Sequence, residues 1–463
     1  MTAHPNPEPV ARAVFWGWHS GDAMAAVREL CARGRLGVVA WFGNGPDCTH
    51  RLDPFIHQFR LDPVPAGMGV DPGSLAPQEL LTFCDMYSRV SRARALPVQE
   101  LEHTAACYLR FFVALLASGG ATHVFFSSPP HFGVDYLLYL AARRAGVPTV
   151  FCYQSLFPDR FFYVCTLEDF GSFAEVPEGP GPESDEPEVR IEHRFEKSLF
   201  YMQGVKARGK PALASLANDL RRLATTRASK PMSLAGALQK YQEARQFARG
   251  YERVGVASPD LSAPYVYFAL QLQPEMTTST LGGGYSDQLS ALERLSAMIP
   301  DDWRIYAKEN PKQTARQRGE AFFRRLAMIP KVSYIAKTVD TYALLQGCRF
   351  ASTVTGTVGW EAITGGKPAL VFGQPWFACL PGVLRYRAGL AVDEVLATVI
   401  DHASLERAVR ALLRKTARGV IDPVYQGIVP KFDPHANVER LLGFLERGID
   451  GRLFAAAPAQ RAA

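Results

Sequence analysis

Along this chain, apolar runs of strand length alternate with stretches in which apolar residues return every three or four positions. Ala13–Trp18, Leu36–Phe42, Ala121–Phe126 and Val147–Tyr153 read as strands, with Asp22–Arg33 and Val134–Ala145 as helices between them. This βαβ alternation predicts a parallel sheet covered by helices. An acidic, Pro/Gly-rich stretch, Ala174–Glu188, reads as a mobile loop, and helical sequence then runs from Ile191 to Tyr251. The strand pattern restarts at Tyr265–Leu272 and recurs at Trp303–Ala307, Val332–Ala336, Phe350–Thr353 and Ala369–Phe372. Two α/β domains are therefore expected: residues 1–261, with a helical insertion over about 190–255, and residues 262–463, closing in helices with a frayed tail at Ala455–Ala463.

Composition narrows the class. The 463 residues are 48% hydrophobic and 21% charged, which excludes a disordered chain. No apolar run approaches the ~20 residues needed to span a bilayer, and residues 1–10 lack a signal-peptide core, so a soluble cytoplasmic protein is expected. Eight cysteines without a Cys-x-x-Cys pair read as buried, reduced thiols. Between Arg221 and Arg253, eight Lys or Arg stand against two Glu, a net +6 that equals the excess of the whole chain. That segment reads either as a basic helix for an anionic inner-membrane surface or glycan carrier, or as a solvated helical face. No nucleic-acid-binding signature accompanies it.

Candidate chemistry concentrates in the loops that follow strands, where open parallel sheets bind ligands. Residues 351–373 (ASTVTGTVGWEAITGGKPALVFG) combine a strand, a small-residue turn and a helix start. Thr355, Gly356, Thr357 and Gly359 there supply hydroxyls and close backbone approach for a phosphate, with Glu361 placed for a sugar hydroxyl. The plainer alternative is a tight turn over a buried Trp360. Comparable loops carry Gln273 and Glu275, Lys308 and Asn310, and Trp376 with Phe377. In the first half they carry His19, His131 with Asp135, and Gln154, Asp159 and Arg160.

From roughly Tyr265 to Gly382 the chain resembles the capsular polysaccharide biosynthesis family of GT-B glycosyltransferases, which includes retaining transferases that use CMP-Kdo. The matching pieces are Gln273–Glu275 (QPE) with the glycines after it, Lys308–Pro311 (KENP), Asp340 with Thr341, and Val354–Ala362 (VTGTVGWEA) with Gly366–Pro368 (GKP). Pro130–Tyr136 and Gln154–Arg160 also look familial. Asn310 departs from the family's frequent Lys-Glu-His-Pro: it donates a hydrogen bond but carries no proton or charge. The resemblance implies an α/β fold of GT-B type, two Rossmann-like domains facing each other across a cleft, and a nucleotide-sugar donor with a phosphate-bearing leaving group. A glycan or glycolipid is the implied acceptor.

Roles follow from that chemistry. Lys308 offers a point charge, and Gln273, Asn310 and the 355–359 segment offer hydrogen bonds to a departing nucleotide. No Asp-x-Asp motif sits at a strand end, so neither metal nor cofactor is expected. If configuration is retained by double displacement, as in the Kdo-using relatives, Glu275 is the expected nucleophile and Asp159 the acid/base. Their alternatives are a loop-capping Glu and an ion pair with Arg160. His131 and Asp135, four apart at a helix start, read as acceptor ligands or base, or as a helix cap. His19, Gln154 and Arg160 read as acceptor-side residues, and Trp376 and Phe377 as a stacking platform or as core. Two other classes stay open: a nucleotide-sugar epimerase or hydrolase, and a non-catalytic glycan-binding component of an export assembly.

Overall fold

The computed structural model describes residues 10–61, 73–90, 93, 96–178, 189, 191 and 234–454. The described chain forms two compact α/β units. The first joins Met1–Asp169 and Phe173–Pro180 to the last fifty residues, Arg414–Ala463; the second comprises Phe170–Ser172 and Gly181–Leu413.

The first unit is built on strands β1 (Ala11–Trp16), β2 (Leu36–Gly43), β3 (His50–Arg51), β4 (His123–Phe126), β5 (Thr149–Gln154), β6 (Arg160–Val164) and β13 (Ala417–Arg418). Their order is β13-β6-β5-β4-β1-β2-β3, parallel from β3 through β5 and antiparallel at β6 and β13. β1 and β4 are buried along nearly their whole length, as expected of central strands covered on both faces. The Val98–Gly119 helix buries Ala105, Tyr108, Leu109, Phe112 and Leu116 at helical spacing and stops at Gly120 in the left-handed region.

The second unit carries β7 (Tyr265–Ala269), β8 (Arg304–Lys308), β9 (Val332–Ile335), β10 (Ala351–Thr353), β11 (Ala369–Val371) and β12 (Val383–Arg385). All are parallel, in the order β12-β11-β10-β7-β8-β9. Val266, Phe268, Ile305, Ala307 and Leu370 form the centre of its core with Leu292, Leu295 and Phe323 from the covering helices. Each unit thus has the Rossmann-like sheet expected of a GT-B chain.

The expected domain boundaries differ from the observed ones at two places. Residues after Arg414 do not finish the second unit. The Pro434–Ile449 helix packs on the Gly21–Ala32 helix, and a Cβ on Gly448 would stand 2.8 Å from the Phe125 ring. Nor does the described part of the helical stretch, Leu234–Val254, insert into the first unit. Its Phe247, Tyr251 and Val254, at i, i+4 and i+7, pack on the second core, with Phe247 6.1 Å from Phe323 and Tyr251 5.6 Å from Tyr334. The basic stretch 221–233, the loop residues 179–188 and the tail 455–463 lie outside the described residues. None of the eight cysteines is in a disulfide, but only Cys152 and Cys348 are buried; Cys31, Cys107 and Cys379 are exposed, against the expectation of uniform burial.

Candidate functional site

In the second sheet the chain lays β8 and β9 on one side of β7, then returns to place β10 on the other. The loops leaving β7 and β10 therefore part in opposite directions, the topological switch at which doubly wound sheets take their ligands. Both loops are tied together. The Gln271 side chain accepts from the Thr355 amide at 2.6 Å and donates to the Thr355 hydroxyl at 2.9 Å, and that hydroxyl also donates to the Thr277 carbonyl at 2.7 Å. Thr353 Oγ1 reaches back to the Ala269 carbonyl at 3.1 Å.

Beneath these loops lies a buried polar frame. Arg318, 1% exposed, donates to Glu309 at 2.7 Å, to Gln273 Oε1 at 3.3 Å and to the Gln271 carbonyl at 3.4 Å, while its guanidinium lies 4.4 Å from the Phe322 ring centre. Gln288 bonds both main-chain groups of Gln271, and Gln313 both of Gln273. Tyr334 donates to Glu309 at 3.2 Å; burial, then the neighbouring Glu309 charge, pushes its phenol pKa far up. Lys308 donates to the Val339 carbonyl and to Thr341 Oγ1, each at 2.6 Å, and burial lowers its pKa against the opposing pull of Asp340. Gln273, Lys308 and Thr355 thus serve the frame. The amides of Thr355 and Gly356 already have internal acceptors, Gln271 Oε1 and Thr353 Oγ1, so the cradle is more occupied than the sequence suggests.

Less covered groups of the same edge are Glu275, Thr277, Asn310, Gly356 and Thr357. Glu275 caps the Met276–Ser279 turn by accepting from the Met276 amide at 3.1 Å. Asn310 Oδ1 accepts from the Lys312 amide at 2.9 Å, which turns the loop after β8. Thr357 donates toward Glu361 at 3.5 Å, and Glu361 itself is buried beside Tyr267. Gly359 is required by packing, since a Cβ there would meet the Phe377 ring at 2.6 Å. Trp376 and Phe377 are buried, which makes them core rather than a stacking platform.

The first sheet has its own switch, between β1 and β4. Gly17 lets the two loops touch: its φ is +78°, and a Cβ would collide with Ser127. His19 lies in the β1 loop against Gly43, and the packing of its ring lowers its pKa. Asp135, wholly buried, accepts from the amides of His131 at 2.6 Å, Phe132 at 3.1 Å and Tyr136 at 3.0 Å. Burial pushes its carboxyl up to about 6, against the pull of those amides. Asp135, in the first turn of a helix whose N-cap is Gly133, thus fixes the loop that enters the helix and is joined to the backbone of His131.

Gln154, Asp159 and Arg160 belong to the docking of the C-terminal segment. Gln154 Oε1 accepts from the Ile421 and Asp422 amides at 2.8 and 3.2 Å. Asp159, at φ +60°, pairs with Arg440 at 2.5 Å and Arg418 at 3.6 Å, and burial raises its pKa against the pull of both arginines and Arg160. Arg160 is buried, 3.3 Å from Thr416 Oγ1. Asp159 and Glu275 fall in different units. Gln271, Gln288, Gln313, Glu309 and Arg318 escaped the sequence reading as site residues. Only Glu309 lay in a recognisable motif, and the rest are polar residues whose burial no periodicity announces.

Residues 219–403 match the family model of capsule polysaccharide biosynthesis proteins, so the resemblance read from the sequence holds over that stretch. No curated protein matches the chain. Among solved structures, the beta Kdo 2,7 transferase of Thermosulfurimonas dismutans KpsC is 10% identical, over 73% of this chain and 89% of that one, with a TM-score of 0.32. The beta Kdo 2,4 transferase of the same protein is 13% identical, over 70% and 88%, at 0.31. The UDP-GlcNAc 2-epimerase of Methanocaldococcus jannaschii is 11% identical, over 87% and 99%, at 0.24. At such scores the architecture rests on this chain's own two sheets.

Proposed function

We propose, from the premise that residues 219–403 carry the capsule polysaccharide biosynthesis pattern, that the chain is a glycosyltransferase of surface-polysaccharide assembly. A nucleotide-sugar donor sits at the carboxyl edge of the second sheet, and the first unit takes a glycan or glycolipid acceptor. The observation that carries this reading is the coincidence of the family match with the β7/β10 switch, where Glu275, Asn310, Gly356 and Thr357 stand on a buried frame. Asn310 donates to the donor's phosphate, and the Thr357 hydroxyl turns its proton from the long 3.5 Å contact with Glu361 to the same phosphate. Lys308, buried in the same unit, adds positive potential without a direct bond. Glu275 is the group for the anomeric carbon in a retaining transfer, and CMP-Kdo is the first donor to try. The transfer proceeds without a metal.

The test is calorimetric titration with CMP, UDP and GDP. Wild type binds one of them, and Thr357→Val weakens that binding about tenfold, as expected for one lost hydrogen bond to a charged group. Absence of binding to all three, or an unchanged dissociation constant in Thr357→Val, refutes the assignment.

A further inference from the structure

A fully buried ion pair, Arg318 with Glu309, lies beneath the β7/β10 loops among four glutamines, each of which bonds at least one main-chain group of a neighbouring loop. Pairs of this kind give little net stability over well-packed apolar residues, because desolvation offsets their attraction. What they do supply is direction. Arg318 holds Gln273 through Oε1 and Gln271 through its carbonyl; Gln288 bridges the same two residues, donating to the Gln271 carbonyl and to Gln273 Oε1. Gln271 then passes that placement across the switch, since its side chain bonds both the amide and the hydroxyl of Thr355. Thr355 is thereby fixed one residue from Gly356 and two from Thr357.

We propose that Arg318 is a positioning residue: acting through Gln271, it sets the 355–357 turn in the geometry that receives the donor's phosphate. This rests on the reading of that edge as the donor site. Arg318 itself touches no ligand, being enclosed by Glu309, the glutamines and Phe322. Lysine in its place keeps the charge for Glu309 but loses the planar fork that reaches Gln273 and Gln271 together. Methionine in place of Gln271 keeps the volume and removes both bonds to Thr355.

The experiment compares Arg318→Lys and Gln271→Met with Leu295→Ala, a cavity variant in the same core. Leu295 lies toward the opposite edge of the sheet: the turn it precedes, at Ile299, is bonded by Lys331 just ahead of β9. Two quantities are read well below the melting temperature of each: backbone hydrogen exchange at residues 355–357, and the calorimetric dissociation constant for CMP, UDP and GDP. In both frame variants, exchange at 355–357 rises about tenfold and nucleotide affinity falls about tenfold, on the order of one lost hydrogen bond. Leu295→Ala lowers the melting temperature but changes neither beyond twofold. Exchange at 355–357 no faster than in Leu295→Ala overturns the proposal, as does weakened nucleotide binding with unchanged exchange. Faster exchange in a protein that binds none of the three nucleotides leaves the positioning of the turn standing and removes the donor-site reading instead.

Discussion

Asn437 offers a sharp test of how the last fifty residues belong to the first unit. Its side chain is fully buried, donates to Asp22 at 2.7 Å and to the Val420 carbonyl at 3.0 Å, and accepts from the Val420 amide at 2.7 Å. Asn437→Asp keeps shape and the acceptor but turns the donor into an oxygen facing two others. One charge-assisted bond worth about 1.5–3 kcal/mol and one neutral bond worth about 1 kcal/mol are lost, and a second carboxylate is brought against Asp22. The expected loss at pH 7.5 is about 4 kcal/mol or more, measured by urea unfolding and by hydrogen exchange of the 419–421 amides. The sign of its pH dependence is fixed as well. Burial and the facing carboxylate raise the introduced group's folded pKa above the ~3.9 of an unfolded Asp, so its contribution is intact at low pH and is lost as pH rises through the folded value. The deficit should therefore shrink on acidification to pH 4, where a proton restores the bond to Asp22. A wild-type urea midpoint at pH 7.5, or a deficit that grows on acidification, would show that these bonds do not hold the segment.

Three further outcomes are expected. Glu275→Gln should reduce turnover by on the order of a hundredfold while nucleotide affinity stays within a factor of two, and mass spectrometry with donor alone should show an adduct on wild type and none on the variant; equal turnover would leave Glu275 as a turn cap. Asp135, raised to about 6 by burial, binds its proton more tightly folded than unfolded, so its stability contribution is present below pH ~4 and lost as pH rises through 6. The stability difference between wild type and Asp135→Asn should drift by about 2 kcal/mol between pH 4 and 7, favouring wild type at the acid end, and a pH-independent difference would contradict this. Arg245 and Arg249 are exposed on the helix whose other side is docked by Phe247 and Tyr251. Reversing both to Glu should weaken binding to anionic liposomes, which should also fall with salt; equal partitioning onto neutral and anionic vesicles would remove the membrane role.

Which loops leave the carboxyl ends of the strands, where an α/β fold takes its ligands, was readable from the chain itself. The period-2 and period-3.6 patterns located β1, β2, β4 and β5 and then β7 to β11 within two residues at each end, save that the strand expected to reach Leu272 stops at Ala269. They missed β3 and β13, two residues each at the two ends of the first sheet, β12 at one end of the second, and β6, which pairs antiparallel on both sides and so falls outside the βαβ alternation. Local sequence also placed Glu275, Asn310 and Thr357 at one edge. It did not separate the groups that face outward from those that hold the frame, since Lys308, Gln273 and Thr355 look like ligand residues until their partners Thr341, Gln313 and Gln271 are seen. Nor did it show that Asp159 and Gln154 clasp residues more than 250 positions away. Periodicity is set by neighbours along the chain and reports which face is apolar. Whether a polar side chain meets solvent, a ligand or a distant backbone amide is settled only when remote segments are packed together.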